Sequence, residues 1–126
     1  MADDAVTLSF PASTNRVRLA RVLAATLADE AGFDYDEVED IRIAVDELCF
    51  LLLEAATPTG TFSITAARQP GDLLIEGSCS FTAEPTLKTD AATAELTAQI
   101  LSTVVDEYDI SFTGTDGRFR LRKSRS

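Results

Sequence analysis

Apolar residues recur at helical spacing through the segment from Asp36 to Thr57. Five of them, separated by three, four, three and four positions, fall on one side of a 3.6-residue helix: Val38, Ile41, Val45, Leu48 and Leu52. The charged residues lie mostly in the first half of the segment, and the sequence after Glu47 is apolar nearly all round, LCFLLL. The pattern therefore predicts one long helix whose second half is buried on more than one side.

Shorter patterns predict the remaining elements. Alternation of apolar and polar residues is typical of strands that expose one face, and helical spacing recurs in two further segments. Pro58 and Gly32 mark ends of helices, because proline lacks an amide hydrogen and glycine permits the turn that follows a helix. The predicted elements are an edge strand at 5–10, helices at 15–31 and 36–57, strands at 61–68 and 72–81, a helix from about 91 to 106, and strands at 107–112 and 118–123.

The sequence also predicts caps and buried faces for these helices. Ser13 or Thr14 is expected to cap the first helix, Asp34 or Asp36 the second and Asp90 the third, because short polar side chains accept hydrogen bonds from free amide groups. The apolar residues expected to be buried are Ala20, Leu23, Leu27 and Ala31 in the first helix, and Leu96, Ile100, Val104 and Val105 in the third.

The order of elements predicts an α+β fold. We expect a two-layer α/β sandwich, with three helices packed on one face of a mixed, mostly antiparallel sheet. The 126 residues, 45% hydrophobic and 25% charged, fit a single domain over residues 1–126 with one core.

The net charge of the chain and its distribution indicate which kinds of macromolecule it could bind. The formal net charge of −10 repels nucleic acid phosphates and anionic membrane surfaces, so neither is an expected partner. Segment 29–54 holds ten acidic residues and one arginine, whereas Arg16, Arg18 and Arg21 stand together. Such segregation suits a protein partner that carries both signs, and a merely solvated surface is the alternative.

A second group of arginines lies near the end of the chain. In the last predicted strand Phe119 and Leu121 face one way, while Arg118, Arg120 and Arg122 face the other. We interpret these arginines as a solvated sheet edge.

Several kinds of chemistry are disfavoured by composition. The chain has no histidine, which removes the commonest general base and metal ligand. Cys49 and Cys79 are interpreted as reduced, buried residues, and no cluster of potential ligands predicts a metal site. The acidic N-terminal sequence and the lack of a long apolar run predict a cytoplasmic protein without a membrane span.

Two sequence segments resemble those of a known protein family. IRIAVDEL, inside the central helix, and ILSTVVDEYDISFTGTDGRFRLRK, near the end of the chain, resemble the anti-sigma-factor serine kinases of bacteria. The resemblance spans nearly the whole chain and implies the histidine-kinase-like ATPase (GHKL) fold. It also implies a domain that holds a sigma factor inactive and phosphorylates an anti-anti-sigma protein.

The resemblance further implies an ATP site, whose motifs are largely replaced here. Glu47 matches the family's catalytic glutamate, but Leu51 stands where the family has the asparagine that holds Mg²⁺. The Asp-x-Gly-x-Gly turn corresponds roughly to 76–80, EGSCS, and the later Gly-x-Gly pair to Glu95 and Thr97. We therefore expect no nucleotide or metal cofactor and no catalytic residue beyond a vestigial Glu47, with Leu51 filling the former pocket.

Partner binding is expected to survive this loss. The resemblance implies that Arg16, Arg18 and Arg21 bind the partner, because Arg21 falls at the family's key arginine in the phrase LARV. The sequence thus indicates a non-catalytic regulatory domain in bacterial transcription or stress regulation, which binds a sigma factor or an anti-anti-sigma (STAS) protein. Two alternatives stay open: an active ATP-dependent serine kinase with displaced ligands, and a homodimer or heterodimer with a related domain.

Overall fold

The computed structural model describes residues 5–85 and 91–125. It shows a strand, a helical pair, a long hairpin, a third helix and a second hairpin. The elements are β1 (Ala5–Pro11), α1 (Val17–Glu30), α2 (Tyr35–Leu53), β2 (Pro58–Gln69), β3 (Asp72–Phe81), α3 (Ala91–Val104), β4 (Glu107–Thr113) and β5 (Asp116–Ser124), with a 3₁₀ turn at Thr14–Arg16 before α1. The order of elements predicted from the sequence is confirmed.

The strands form one sheet in the order β1-β2-β3-β5-β4. All pairings among the described strands are antiparallel. The two-layer α+β fold is therefore confirmed with one correction, since the described sheet is wholly antiparallel rather than mixed. The reason is that β3 and β4, joined through α3, run in the same direction, but β5 lies between them and pairs antiparallel with both.

One face of the sheet carries the core. Along β2 the buried residues Phe62, Ile64 and Ala66 alternate with Ser63 and Thr65, whose hydroxyls lie on the open face. The Phe10 ring stacks on Phe62 with centroids 5.3 Å apart, and Phe119 lies against Phe62 at 6.3 Å. The buried apolar side chains of helices and strands form one cluster.

The start of α1 differs from the prediction. Ser13 does not cap it, because its hydroxyl donates to Oδ1 of Asn15 at 2.7 Å and the chain first makes the 3₁₀ turn. The buried side is also shifted, since Leu23 and Ala31 are only partly buried. The fully buried face consists of Val17, Ala20, Ala24, Leu27 and Ala28. Gly32, at a φ of 88°, ends the helix as predicted.

The central helix begins at Tyr35, one residue before the predicted start, after the first of its two predicted caps, and it ends earlier than predicted. Asp34 forms a capping box with Glu37, in which each side chain accepts from the other residue's amide at 2.8 and 3.0 Å. The helix stops at Leu53 rather than Thr57. The amide of Thr82 donates to the Thr57 carbonyl at 3.0 Å, so this part of the chain joins the β2–β3 pairing instead.

The buried face of α3 is also corrected. Leu101, Val104 and Val105 are buried, whereas Leu96 is exposed and Ile100 is only partly buried. The predicted cap, Asp90, lies outside the described residues.

Candidate functional site

The predicted partner-binding arginines lie at the start of the α1–α2 hairpin. Arg16 belongs to the 3₁₀ turn and Arg18 to the first turn of α1, and both side chains are exposed. Arg21 lies one turn further along and is partly buried, because it turns toward α2. The fold therefore brings the three arginines to one end of the hairpin. Arg16 and Arg18 face solvent there, whereas Arg21 faces α2.

An ion pair joins Arg21 to α2. Its Nε lies 3.1 Å from Oδ1 of Asp46, and both atoms are shielded from solvent without the alignment of a hydrogen bond. Burial raises the pKa of the Asp46 carboxyl, against the opposing effect of Arg21 and Arg42. Arg21 thus has an intramolecular partner, which the sequence analysis did not anticipate. A guanidinium carries five N–H donors, so Arg21 can still bind a second carboxylate.

Helical spacing places exposed apolar side chains on the same sides of α1 and α2 as this ion pair. Val22 follows Arg21 and is 64% exposed, while Ile43 and Phe50, three residues before and four after Asp46, are 42% and 36% exposed. Sequence analysis had placed Phe50 in the buried half of the helix. The signal that could have found this surface is the seven-residue spacing of Ile43 and Phe50, on the side of α2 away from its core stripe. We call this surface the hairpin face: Arg16, Arg18, Arg21, Val22, Ile43, Asp46 and Phe50.

Glu47 and Leu51 lie on the other flank of α2. They share a helix side with Asp40, which is seven residues before Glu47. Lys123 lies 3.4 Å from the Asp40 carboxylate and donates to the carbonyl of Val104, at the end of α3, at 2.8 Å. This side of α2 therefore faces α3, so the two candidate sites lie on opposite flanks of one helix.

Several described positions that the resemblance implies for nucleotide carry other side chains. Leu51 and Glu47 are both partly buried, and the alkyl group of Leu51 cannot ligate Mg²⁺. Gly77 faces the core, where an added Cβ would lie 2.4 Å from the Phe119 ring. It is therefore a packing glycine.

Two other positions that the resemblance implies for ATP also carry different side chains. Burial, with a smaller contribution from Asp116, raises the pKa of the Cys79 thiol to about 11, so this residue is neutral and inert at neutral pH. Glu95 is an exposed carboxylate where the family has glycine. Within residues 5–85 and 91–125, no group of three or more acidic or cysteine side chains could hold a metal ion.

The second arginine group is not at a sheet edge. Its strand, β5, lies between β3 and β4, which corrects the earlier interpretation. Arg122 contacts Glu107 at 3.0 Å and Asp72 at 3.5 Å, and its hydrogen bond lowers the pKa of Glu107. Arg120 stands between Glu76 and Asp109 in the register of the sheet. This face is therefore largely balanced in charge.

Comparison with known proteins gives related sequences. The anti-sigma-F factor RsbW of Mycobacterium tuberculosis is 30% identical over 76 residues, which cover 60% of this chain and 45% of that protein. The serine-protein kinase RsbW of Listeria monocytogenes is 43% identical over 44 residues, 35% of this chain and 28% of that protein. The same-named kinase of Bacillus cereus is 32% identical over 60 residues, 48% of this chain and 38% of that protein. The chain thus spans less than half the length of these relatives. No family model matches it.

A solved structure shares the fold. The crystal structure of the RsbU and RsbW domains of Rv1364c from Mycobacterium tuberculosis has a TM-score of 0.73, and the match covers 95% of this chain and 32% of that one. At 17% identity this likeness shows the fold alone. Among the described residues no helix is long and apolar enough to cross a bilayer. The related sequences and the shared fold together confirm the resemblance: this chain is similar to anti-sigma factors and serine-protein kinases named RsbW, and it shares the fold of the RsbW-containing structure.

Proposed function

We propose that this chain is a non-catalytic anti-sigma domain that binds a sigma factor or an anti-anti-sigma (STAS) protein through the hairpin face. The observation that carries the proposal is the cluster of exposed apolar and arginine side chains around the Arg21–Asp46 ion pair. Interface centres are enriched in arginine and aromatic residues, and exposed apolar groups on a soluble surface mark sites of association. The related sequences named as anti-sigma factors supply the class of partner.

The loss of nucleotide chemistry is the second part of the proposal. It is supported by Leu51 at the position of the metal-holding asparagine and by Gly77 packed against Phe119. Without nucleotide there is no phosphoryl group to transfer to a substrate hydroxyl near Glu47, and partner binding is the activity that remains. The domain would then act by occupying its partner. Its effect would depend on its own concentration relative to that of the partner.

The test of partner binding is a titration against candidate sigma factors and STAS proteins from the same organism. Arg18→Glu and Phe50→Ser should each weaken binding by about 2 kcal/mol or more, because one places like charges in a partly dry interface and the other removes an aromatic anchor. Arg118→Glu, on the open face of the sheet, is the matched control and should leave affinity unchanged. Equal affinity of all four proteins for a confirmed partner would move the site away from the hairpin face.

A melting experiment with ATP and Mg²⁺ separates this proposal from an active kinase. Ligand that binds only the folded state stabilises it by RT ln(1 + [L]/Kd), about 2.7 kcal/mol at a hundredfold excess over Kd. We expect no shift in melting temperature at millimolar ATP. A reproducible rise of several degrees would favour the serine kinase with displaced ligands.

A further inference from the structure

β4 forms one edge of the sheet, and the outward half of its backbone polar groups has no partner among the described strands. It pairs with β5 on one side only, in an unbroken antiparallel register from Glu107 to Thr113. In such a strand the N–H and C=O groups of alternate residues point away from the neighbouring strand. Segment 107–113 contains no proline and no bulge, so a further strand can continue its hydrogen-bond ladder.

One side of β4 carries large apolar side chains at the margin of the core. Tyr108, Ile110 and Phe112 lie on the side that the helices cover, and each is only partly buried. Their neighbours Phe119 and Leu121 on β5 are fully buried. The apolar layer of the sheet therefore ends at β4 in a row of half-covered side chains, which an added strand would bury further.

The other side of β4 carries carboxylates at the outermost positions of the sheet. Glu107 and Asp109 lie at this margin, and the guanidinium groups of Arg122 and Arg120 stand behind them on β5. Arg122 contacts Glu107 at 3.0 Å. Asp109 is exposed and makes no hydrogen bond or ion pair with any residue that the structure describes. A strand that approaches this edge therefore meets negative charge first, including one carboxylate that is free to pair.

We propose that the β4 edge, Glu107–Thr113, binds an extended segment of a partner protein in which basic residues alternate with apolar ones. The backbone of this segment continues the hydrogen-bond ladder of the sheet. Its apolar side chains cover Tyr108, Ile110 and Phe112. Its lysine or arginine side chains lie across from Glu107 and Asp109, where opposite charges on neighbouring strands attract.

Charge selects this occupant over a second copy of the chain. Pairing β4 with β4 of another copy would bring the carboxylates of both strands onto one face of the joined sheet, and two chains of net charge −10 repel each other. The same carboxylates attract a basic strand, so they oppose self-association while they favour the stated partner. The inference does not depend on the proposed binding at the hairpin face, which lies in the helical layer.

The probe is a capped peptide of about seven residues in which lysine and valine alternate, so that it can match the two sides of β4. It is titrated into the isotopically labelled full chain, and backbone amides are followed by NMR. Binding should be saturable, and protection from hydrogen exchange should increase most for amides of β4. A control peptide with the same lysines and valines in two blocks has equal charge and should bind at least about tenfold more weakly, because it cannot match both sides of the strand.

A pair of variants tests the role of Asp109. Asp109→Asn should weaken binding of the alternating peptide about two- to fivefold, as expected for loss of one exposed ion pair. Asp29→Asn removes the same charge from an exposed position near the end of α1. It is the matched control and should leave the affinity unchanged.

The inference is overturned if the alternating peptide does not bind saturably at millimolar concentration or if the block peptide binds equally well, which would indicate charge attraction alone. Equal affinity of Asp109→Asn and the wild type contradicts it too. Protection strongest in β1 or in the α1–α2 hairpin would place the site elsewhere. If Asp109→Asn fails to fold, the comparison of the two peptides and the amide protection of the wild type decide.

Discussion

At the residue scale, two glycines are required by close packing rather than by backbone conformation. Gly77 and Gly117 have ordinary φ angles, unlike Gly32, Gly60, Gly71 and Gly114. A Cβ on Gly117 would lie 2.6 Å from Leu52 and 2.9 Å from Phe81, and one on Gly77 would enter the Phe119 ring. The aromatic layer between the helices and the sheet therefore depends on positions without a side chain.

We expect Gly77→Ala to destabilise the fold by about 1 to 3 kcal/mol, because the added methyl group overpacks the core against Phe119. The measurement is urea unfolding of the variant beside the wild type. Ser78→Ala, at the next residue on the open face, should change the free energy of unfolding by no more than about 0.5 kcal/mol. Equal stability of the two variants would show that Phe119 can move away, and would reopen this part of the nucleotide region.

At the element scale, long basic side chains tie the helices to the sheet. Lys123, at the end of β5, reaches both Asp40 on α2 and the carbonyl of Val104 at the end of α3. Arg68 and Arg125 donate to the carbonyls of Glu30 and Ala31 at 3.0 and 3.2 Å. The last turn of α1 has no basic residue of its own, so distant arginines satisfy its carbonyls and oppose the negative end of its dipole.

Replacing Lys123 by methionine should cost about 1 to 2 kcal/mol, because the Val104 carbonyl loses its charged donor while the packing of the side-chain stem is kept. The comparison is again the free energy of unfolding in urea. Arg118→Met, on the open face, removes a positive charge from an exposed site and should be nearly neutral. A Lys123→Met variant as stable as this control would mean that α3 is held by apolar contacts alone.

At the scale of the whole molecule, the two cysteines report on global folding. Cys49 is completely buried in α2, and Cys79 is buried in β3. Burial raises the pKa of both thiols, that of Cys79 from 9.0 to about 11. Thiolate, the reactive form, is therefore suppressed in the native state and released only when the core opens.

Modification by a thiol reagent at pH 8 should consequently be slow for the native chain. The raised pKa alone lowers the thiolate fraction of Cys79 about a hundredfold, and burial blocks the reagent further. Two thiols should react rapidly in urea. Thr115→Cys, in the exposed turn between β4 and β5, supplies a fast-reacting reference in the native state. Rapid modification of a native wild-type thiol would show local opening of the layer between helix and sheet.

Local chemistry determined much of this fold. The bounds of β3 were predicted correctly from sequence and the start of α2 to within one residue, because alternation, helical spacing and the Asp34 cap act between residues close in the chain. The inward positions of Phe119 and Leu121 followed from the two-residue period of a strand. For the candidate site, the sequence indicated the arginines and the loss of the metal-holding residue at Leu51.

Tertiary structure decided the rest, because the deciding contacts join residues far apart in sequence. α2 stops at Leu53 since Thr57 pairs with Thr82, and β5 is an inner strand because β3 pairs with it rather than with β4. The buried side of α3 depends on its placement beside α2, which helical spacing alone does not define. The Arg21–Asp46 contact and the exposure of Phe50 likewise exist only once α1 packs on α2. The sequence therefore determined the two helices of the hairpin, and their packing determined the face that we propose for binding.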